Sequence, residues 1–260
     1  MRLDQSLAQF GLSREKAKAA VLAGLVTVNG REERKPSRDI SDGDTLALKD
    51  DETLRYVGRG ALKLLRALDV YEIAVAGLRC LDVGASTGGF TQVLLERGAA
   101  RVFAVDVGAG QLAGPLRDDA RVANLERTDI RALELEPVDF ICADVSFISL
   151  RLILPKLFDL LKDGGAAVCL LKPQFECGPG HAKHGIVKDP KVQARAVGEV
   201  CAAARGAGFA LRGVTHSPIT GGDGNLEFLL FLRRGGPDIG PIDAAGTVRA
   251  AREALGLSSN

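Results

Sequence analysis

The sequence has almost no net charge, +1 over 260 residues. That excludes a uniformly basic coat for nucleic acid and leaves room only for a local basic patch. No apolar run approaches the ~18 residues that a membrane-spanning helix needs. The start, Met1-Arg2-Leu3-Asp4-Gln5, has no signal-peptide core. These absences lead to the expectation of a cytoplasmic protein with no membrane partner. The five cysteines, at 80, 142, 169, 177 and 201, form no Cys-x-x-Cys pair, so small buried thiols are expected rather than disulfides or zinc. His181-Ala182-Lys183-His184 has no acidic or thiolate companion at ligand spacing, and no metal is expected.

What is present is ordinary in bulk. Hydrophobic residues make up 46% and charged residues 26%, as in a globular chain of one or two domains. Glycine is the exception: 31 residues, against a usual ~7% of a chain, imply many tight loops.

The charge is unevenly spread. Residues 1–38 hold eight basic and four acidic side chains, whereas residues 39–53 hold six acids and only Lys49. In the basic stretch, Leu3, Leu7 and Phe10 share one helix face, and Gly11 ends that helix. Ser13 is placed to cap a second helix that turns Ala17, Ala20, Val21 and Leu22 inward and Arg14 and Lys18 outward. Leu25–Val28 then reads as a strand, Asn29-Gly30 as a tight turn and Thr45–Leu48 as a further strand. Two helices and a small sheet, with Arg2-Leu3-Asp4, Ser13-Arg14, Val28-Asn29-Gly30, Lys35-Pro36-Ser37 and Gly43-Asp44, resemble the S-four-type RNA-binding domain over residues 1–50. The resemblance implies phosphate contacts from Arg2, Arg14, Lys18, Arg31 and Lys35, and from Arg59 beyond the linker. The acidic residues 51–58 read as that linker.

From residue 59 to 235 short apolar runs alternate with helical stretches. Candidate strands are 79–83, 101–105, 121–125, 138–143, 166–171, 209–214 and 226–232. Candidate helices include 90–96, 149–161 and 190–207, and a tail, 236–260, follows. This alternation predicts an α/β fold with a mostly parallel seven-stranded sheet covered by helices. The last two strands are expected to form a hairpin at one edge. Ligands bind such sheets beyond the C-terminal strand ends, so the chemistry is sought there.

The first strand ends in Asp82-Val83-Gly84-Ala85-Ser86-Thr87-Gly88-Gly89-Phe90. Ser86 spoils a Gly-x-Gly-x-x-Gly dinucleotide fingerprint. The spacing instead resembles the first motif of class I S-adenosylmethionine (SAM) methyltransferases. Asp106 ends the second strand, 22 residues beyond Gly84, where a carboxylate can accept both ribose hydroxyls of a nucleoside. Asp129 follows the third strand and is placed to accept from an adenine amino group or to sit in a surface ion pair. The fourth strand ends at Asp144, without the Pro-Pro-aromatic turn typical of methylases of base amines, and no Pro-Cys nucleophile of cytosine-carbon methylases exists in the chain. The fifth ends at Lys172, a cation unusual at the lip of a buried strand. Glu227 opens the last strand, and Lys63 lies in a helix before the first.

The order Lys63, Asp144, Lys172, Glu227 resembles the tetrad of FtsJ-type 2′-O-ribose RNA methyltransferases. Joined to the N-terminal module, it is similar to the TlyA family, sometimes labelled hemolysin. Gly-Ala-Ser-Thr-Gly-Gly-Phe-Thr, Ala-Asp-Val-Ser-Phe-Ile-Ser-Leu and Leu-Lys-Pro-Gln-Phe-Glu carry the likeness. Gly58, Ala61 and Asp129 stand where members of the family differ. The resemblance implies Lys63, Asp144, Lys172 and Glu227 as catalytic residues. It implies SAM held by Asp82, Gly84, Ser86, Gly88, Gly89, Phe90, Asp106, Asp129 and Asp144, and ribosomal RNA or a ribosomal subunit as partner. The expected substrate is a cytidine ribose, and the expected state is a monomer or weak dimer. Lys172, flanked by a second lysine and two carboxylates, either accepts the hydroxyl proton or stabilises the developing alkoxide. Two other classes compete. A binding-only RNA factor has no use for two lysines and two acids at strand ends. A pore-forming cytolysin would need a secretion signal or a spanning segment.

Overall fold

In the computed structural model, residues 1–257 are described apart from 13, 50, 179 and 183, together with their side chains except those of 15, 52 and 53. The chain divides into two units, Met1–Val57 and Gly58–Asn260.

The smaller unit begins with the helix Leu3–Ser6, which tightens into a single 3-10 turn, Leu7–Phe10. Gly11 ends it in the left-handed conformation (φ 74°) that glycine tolerates best. The helix Arg14–Leu22 packs on three short strands, β1 (Val26–Val28), β2 (Arg31–Glu32) and β3 (Leu46–Leu48), ordered β2-β1-β3 and antiparallel. Asn29 and Gly30 both have positive φ, 53° and 75°, as the two-residue hairpin between β1 and β2 requires. Leu3, Leu7, Ala17, Ala20, Val21, Val26 and Val28 form the core. Leu22, expected inside, is 53% exposed, because it is the last helical residue and lies beyond the end of that core. The expected Ser13 cap lies outside the described residues.

The larger unit is built on seven strands: β4 (Arg79–Val83), β5 (Arg101–Val105), β6 (Val122–Leu125), β7 (Val138–Ala143), β8 (Leu161–Leu171), β9 (Phe209–His216) and β10 (Phe228–Arg234). Their order is β6-β5-β4-β7-β8-β10-β9. β6, β5, β4, β7 and β8 pair in parallel, and β10 runs antiparallel to both of its neighbours. The chain moves outward from β4 to β6 and then returns to the other side of β4 as β7. That reversal opens a crevice beyond the C-terminal ends of β4 and β7, where ligands bind in open α/β sheets. The parallel strands carry near-continuous apolar runs, as burial on both faces demands, and Phe140, Ile141 and Leu81 are fully buried.

Three elements differ most from expectation. Strand 166–171 is longer, starting at Leu161, which pairs with Val138 ahead of an irregularity in the β7–β8 register. The helix expected over 149–161 is therefore a 3-10 turn, Leu150–Leu152, and a short helix, Leu154–Asp159. The final strand begins at Phe228, so Glu227 sits just ahead of it. In the tail, the helix Ala244–Ala254 buries Val248 and Ala251 in the same core as the sheet.

Gly84 is a position at the site where the backbone leaves no space for a side chain. Its φ is +82°, and a Cβ would lie 2.5 Å from the Asp144 carbonyl oxygen. Gly84→Ala is expected to cost about 2 kcal/mol or more through a left-handed non-glycine residue and a backbone clash, measured as a lower denaturation midpoint. Unchanged stability would contradict this close approach.

Candidate active site

Four strand ends converge on one cleft of about 870 Å³, lined in part by Gly84, Ser86, Asp106, Asp129 and Asp144. Its size is that of a small-molecule site. Gly84 and Ala85 donate their N–H groups to the Val105 carbonyl at 2.8 and 3.1 Å, which turns the chain sharply off β4. Asp106 is fixed by two backbone amides. Ser86 N–H donates to Oδ2 at 2.8 Å, and Gly108 N–H to Oδ1 at 2.7 Å. A carboxylate held in this way keeps lone pairs for a ligand without needing to reorient.

Asp129 lies on the same wall but is already paired. It accepts from Arg131 N–H at 2.9 Å and Arg131 Nη2 at 2.6 Å, and so caps the 3-10 turn Ile130–Ala132. Asp82, Gly88, Gly89 and Phe90 do not line this cleft. They shape the turn instead. Asp82 is fully buried and accepts from Thr91 Oγ1 at 2.6 Å. A Cβ on Gly88 would meet Leu116 and Leu112, and one on Gly89 would lie 3.1 Å from the Ala61 amide nitrogen.

At the edge of the cleft the four charged residues come together. Lys172 Nζ lies 2.6 Å from Asp144 Oδ1 and donates to Ser146 Oγ at 2.8 Å. Lys63 Nζ lies 2.7 Å from Glu227 Oε2 and 3.7 Å from Asp144 Oδ2. Lys63, Lys172 and Glu227 are all buried. Two ammonium groups and two carboxylates thus form a balanced cluster, which is how a protein tolerates such charges out of water. Asp144 Oδ1 and Glu227 Oε2 have no well-aligned hydrogen-bond donor, so their closest contacts are ion pairs of bent geometry. Burial pushes the Glu227 carboxyl up from its ordinary value, against the pull of Lys63.

The sequence did not single out Ser146 or Phe147. Ser146 touches Lys172. Phe147 is 93% exposed, has φ +64°, and stands 5.3 Å from the Phe175 ring. An apolar ring placed three residues past the charged strand end at Asp144 was the available signal for it. Of the basic residues expected to meet RNA, Lys18, Arg31 and Lys35 are exposed. Arg2 and Arg14 flank the buried Asp4 at 3.0 and 3.6 Å. Arg59 is exposed and donates to the Thr220 carbonyl at 3.4 Å. All five cysteines are free and buried. Among the described residues there is no group of three or more His, Cys, Asp or Glu placed to hold a metal, and no helix long and apolar enough to cross a membrane.

Comparison with known proteins places this geometry. The FtsJ-like methyltransferase family matches residues 56–234, and the S4 domain matches residues 1–46. A Mycobacterium tuberculosis protein named 16S/23S rRNA (cytidine-2′-O)-methyltransferase TlyA is 48% identical, over 89% of this chain and 89% of its own length. A Campylobacter jejuni protein named 23S rRNA (cytidine-2′-O)-methyltransferase TlyA is 35% identical, over 89% of this chain and 98% of its own. A solved structure from Streptococcus thermophilus, named as a hemolysin, superposes with a TM-score of 0.79 at 42% identity, covering 98% of this chain and 96% of that one. An FtsJ-like methyltransferase domain behind an S4 domain is thus what the fold defines, and the chain belongs to the TlyA family.

The buried Asp82 gives a pH signature. Burial raises its carboxyl from 3.8 to about 7, partly offset by the Thr91 hydrogen bond. The folded protein therefore favours the protonated form. That stability is fully present below the unfolded value and is lost as pH rises through about 7. Thermal midpoints should fall between pH 5 and about 8 more steeply in the unsubstituted protein than in Asp82→Asn. Equal slopes would contradict the assignment.

Proposed function

We propose that the protein transfers a methyl group from SAM to the 2′-hydroxyl of a cytidine in ribosomal RNA. The observation that carries this reading is Asp144. One of its oxygens pairs with Lys172 while the same residue lines a nucleoside-sized cleft. The residues present fit SAM. Asp106, held by two amides, suits ribose hydroxyls, and Gly84 and Ser86 line the same wall. Asp129 is a weaker candidate for the adenine amino group, since Arg131 already occupies it.

SAM supplies a methyl already activated on a sulfonium. The protein's own residues must align the acceptor hydroxyl and manage its proton. Lys172 is the group for that task, oriented by Asp144 and Ser146. Lys63 and Glu227 form the second pair and fix Asp144 from its other oxygen. Phe147 offers an unpaired base an exposed ring on which to stack, as single-stranded RNA readers do. Lys18, Arg31 and Lys35 in the S-four-type unit offer phosphate contacts that add affinity without reading sequence. A ribosomal RNA substrate places the work in the cytoplasm. No metal takes part in this reading, and the working state is a monomer or weak dimer.

Transfer of labelled methyl from SAM to small and large ribosomal subunits lacking the modification tests the reading. Lys172→Ala is expected to lose at least ~100-fold in turnover. Lys172→Arg keeps the charge but cannot give up its proton, and is expected to be equally inactive. Near-normal turnover of Lys172→Arg would leave Lys172 only an electrostatic role. In calorimetry, Asp106→Ala should weaken SAM binding by roughly 10- to 100-fold, the loss of hydrogen bonds to a charged acceptor. Unchanged SAM affinity would remove Asp106 from the cofactor site.

A further inference from the structure

The Lys172–Glu176 segment ends in a carboxylate that methyl transfer leaves unused. Glu176 is 2% exposed. A carboxylate so placed is costly unless its lone pairs are met. They are met by one neighbouring segment. Glu176 accepts from Ser149 Oγ at 2.6 Å and from Leu150 N–H at 2.7 Å, and Arg151 Nε lies 3.4 Å away. Arg151 Nη2 also donates to the Glu176 carbonyl at 3.0 Å.

These bonds are the third rung between the same two stretches of chain, one leaving β7 and one leaving β8. The first rung is Lys172 against Asp144 and Ser146. The second is Phe175 against Phe147. Both of these carry residues of the site. The third, Glu176 against Ser149 and Leu150, has its carboxylate outside the cleft wall, though Ser149 itself lines the cleft. Between the first and third rungs the β7 stretch must hold Phe147 at φ +64°, a conformation that bulky residues avoid and that persists only when its flanks are fixed.

We propose that Glu176 is a positioning residue for the acceptor side of the site. By anchoring residues 149 and 150 to the end of the Lys172–Glu176 stretch, it sets Asp144 and Ser146 against the Lys172 amine. The proposal rests on the methyl-transfer reading and adds a residue to it. SAM affinity is expected to fall less than turnover does when Glu176 is changed, because Asp106, Gly84 and Ser86 belong to other strand ends, whereas Asp144 and Ser149 share the cleft wall.

The test uses the full-length protein with Glu176→Ala, Glu176→Gln and Ser149→Ala, alongside the unsubstituted protein and Lys172→Ala. Three quantities are read: the SAM Kd, the thermal midpoint, and kcat and KM with the RNA substrate. Glu176→Ala is expected to lower kcat by at least ~10-fold, the penalty for a misplaced reacting group, while the SAM Kd rises by clearly less than kcat falls. Glu176→Gln keeps an acceptor for Leu150 N–H and is expected to recover most of the turnover. Ser149→Ala, which removes one bond only, should show a smaller loss with the same split; it carries the test if Glu176→Ala does not fold. Unchanged kcat in Glu176→Ala and Ser149→Ala would overturn the proposal. So would a SAM affinity that falls in step with kcat, which marks a merely structural residue. Absence of transfer by the unsubstituted protein would instead overturn the methyl-transfer reading itself.

Discussion

The contact between Lys172 and Asp144, 2.6 Å long at the ends of β8 and β7, is the constraint that the rest of the site serves. Asp144 faces two ways. Its carboxylate holds one lysine amine closely and another more loosely, and it also lines the cofactor-sized cleft. The Gly84 turn is shaped around the Asp144 backbone, and Glu227 neutralises the second ammonium. Two buried ion pairs of opposite order add little to stability. Their value lies in presenting an amine at a fixed place in a poorly solvated corner.

The fold explains why these residues can be so far apart in sequence. A parallel sheet brings every C-terminal strand end to one edge. β7 and β8 are neighbours, so Asp144 and Lys172 meet directly. β10 pairs with β8 but runs the other way, so its start, not its end, reaches that edge, and Glu227 arrives there just before the strand begins. Lys63 comes from the helix Ala61–Val70, which buries Leu64, Ala67 and Leu68 beneath it.

Much of this was legible in the residues. Apolar runs of strand length exposed the sheet, and Lys172 stood out as a charge unusual at the lip of a buried strand; Lys63, Asp144 and Glu227 were joined to it by the resemblance to the FtsJ-type tetrad. What was not legible depends on three-dimensional partners. Asp129 could have met a ligand or a neighbour, and Arg131, two residues on, had the reach to claim it. Asp82, Gly88 and Gly89 carry the motif, yet their contacts are with Thr91, Leu116 and the Ala61 backbone. A glycine needed for close approach looks the same in sequence whether chain or ligand comes close. The early start of β8 was hidden by Gly164-Gly165, which reads as a turn but here sits within a strand. Ser146 and Glu176 gave no signal of their own, since their roles are set by the residue across the gap.

The central claim is that this cluster acts on a ribose hydroxyl rather than on a base. Nucleoside mass spectrometry of ribosomal RNA treated with the protein and SAM tests it most directly. The account predicts 2′-O-methylcytidine that is absent when Lys172→Ala is used. A methyl group on the base, or the same product with Lys172→Ala, would contradict it.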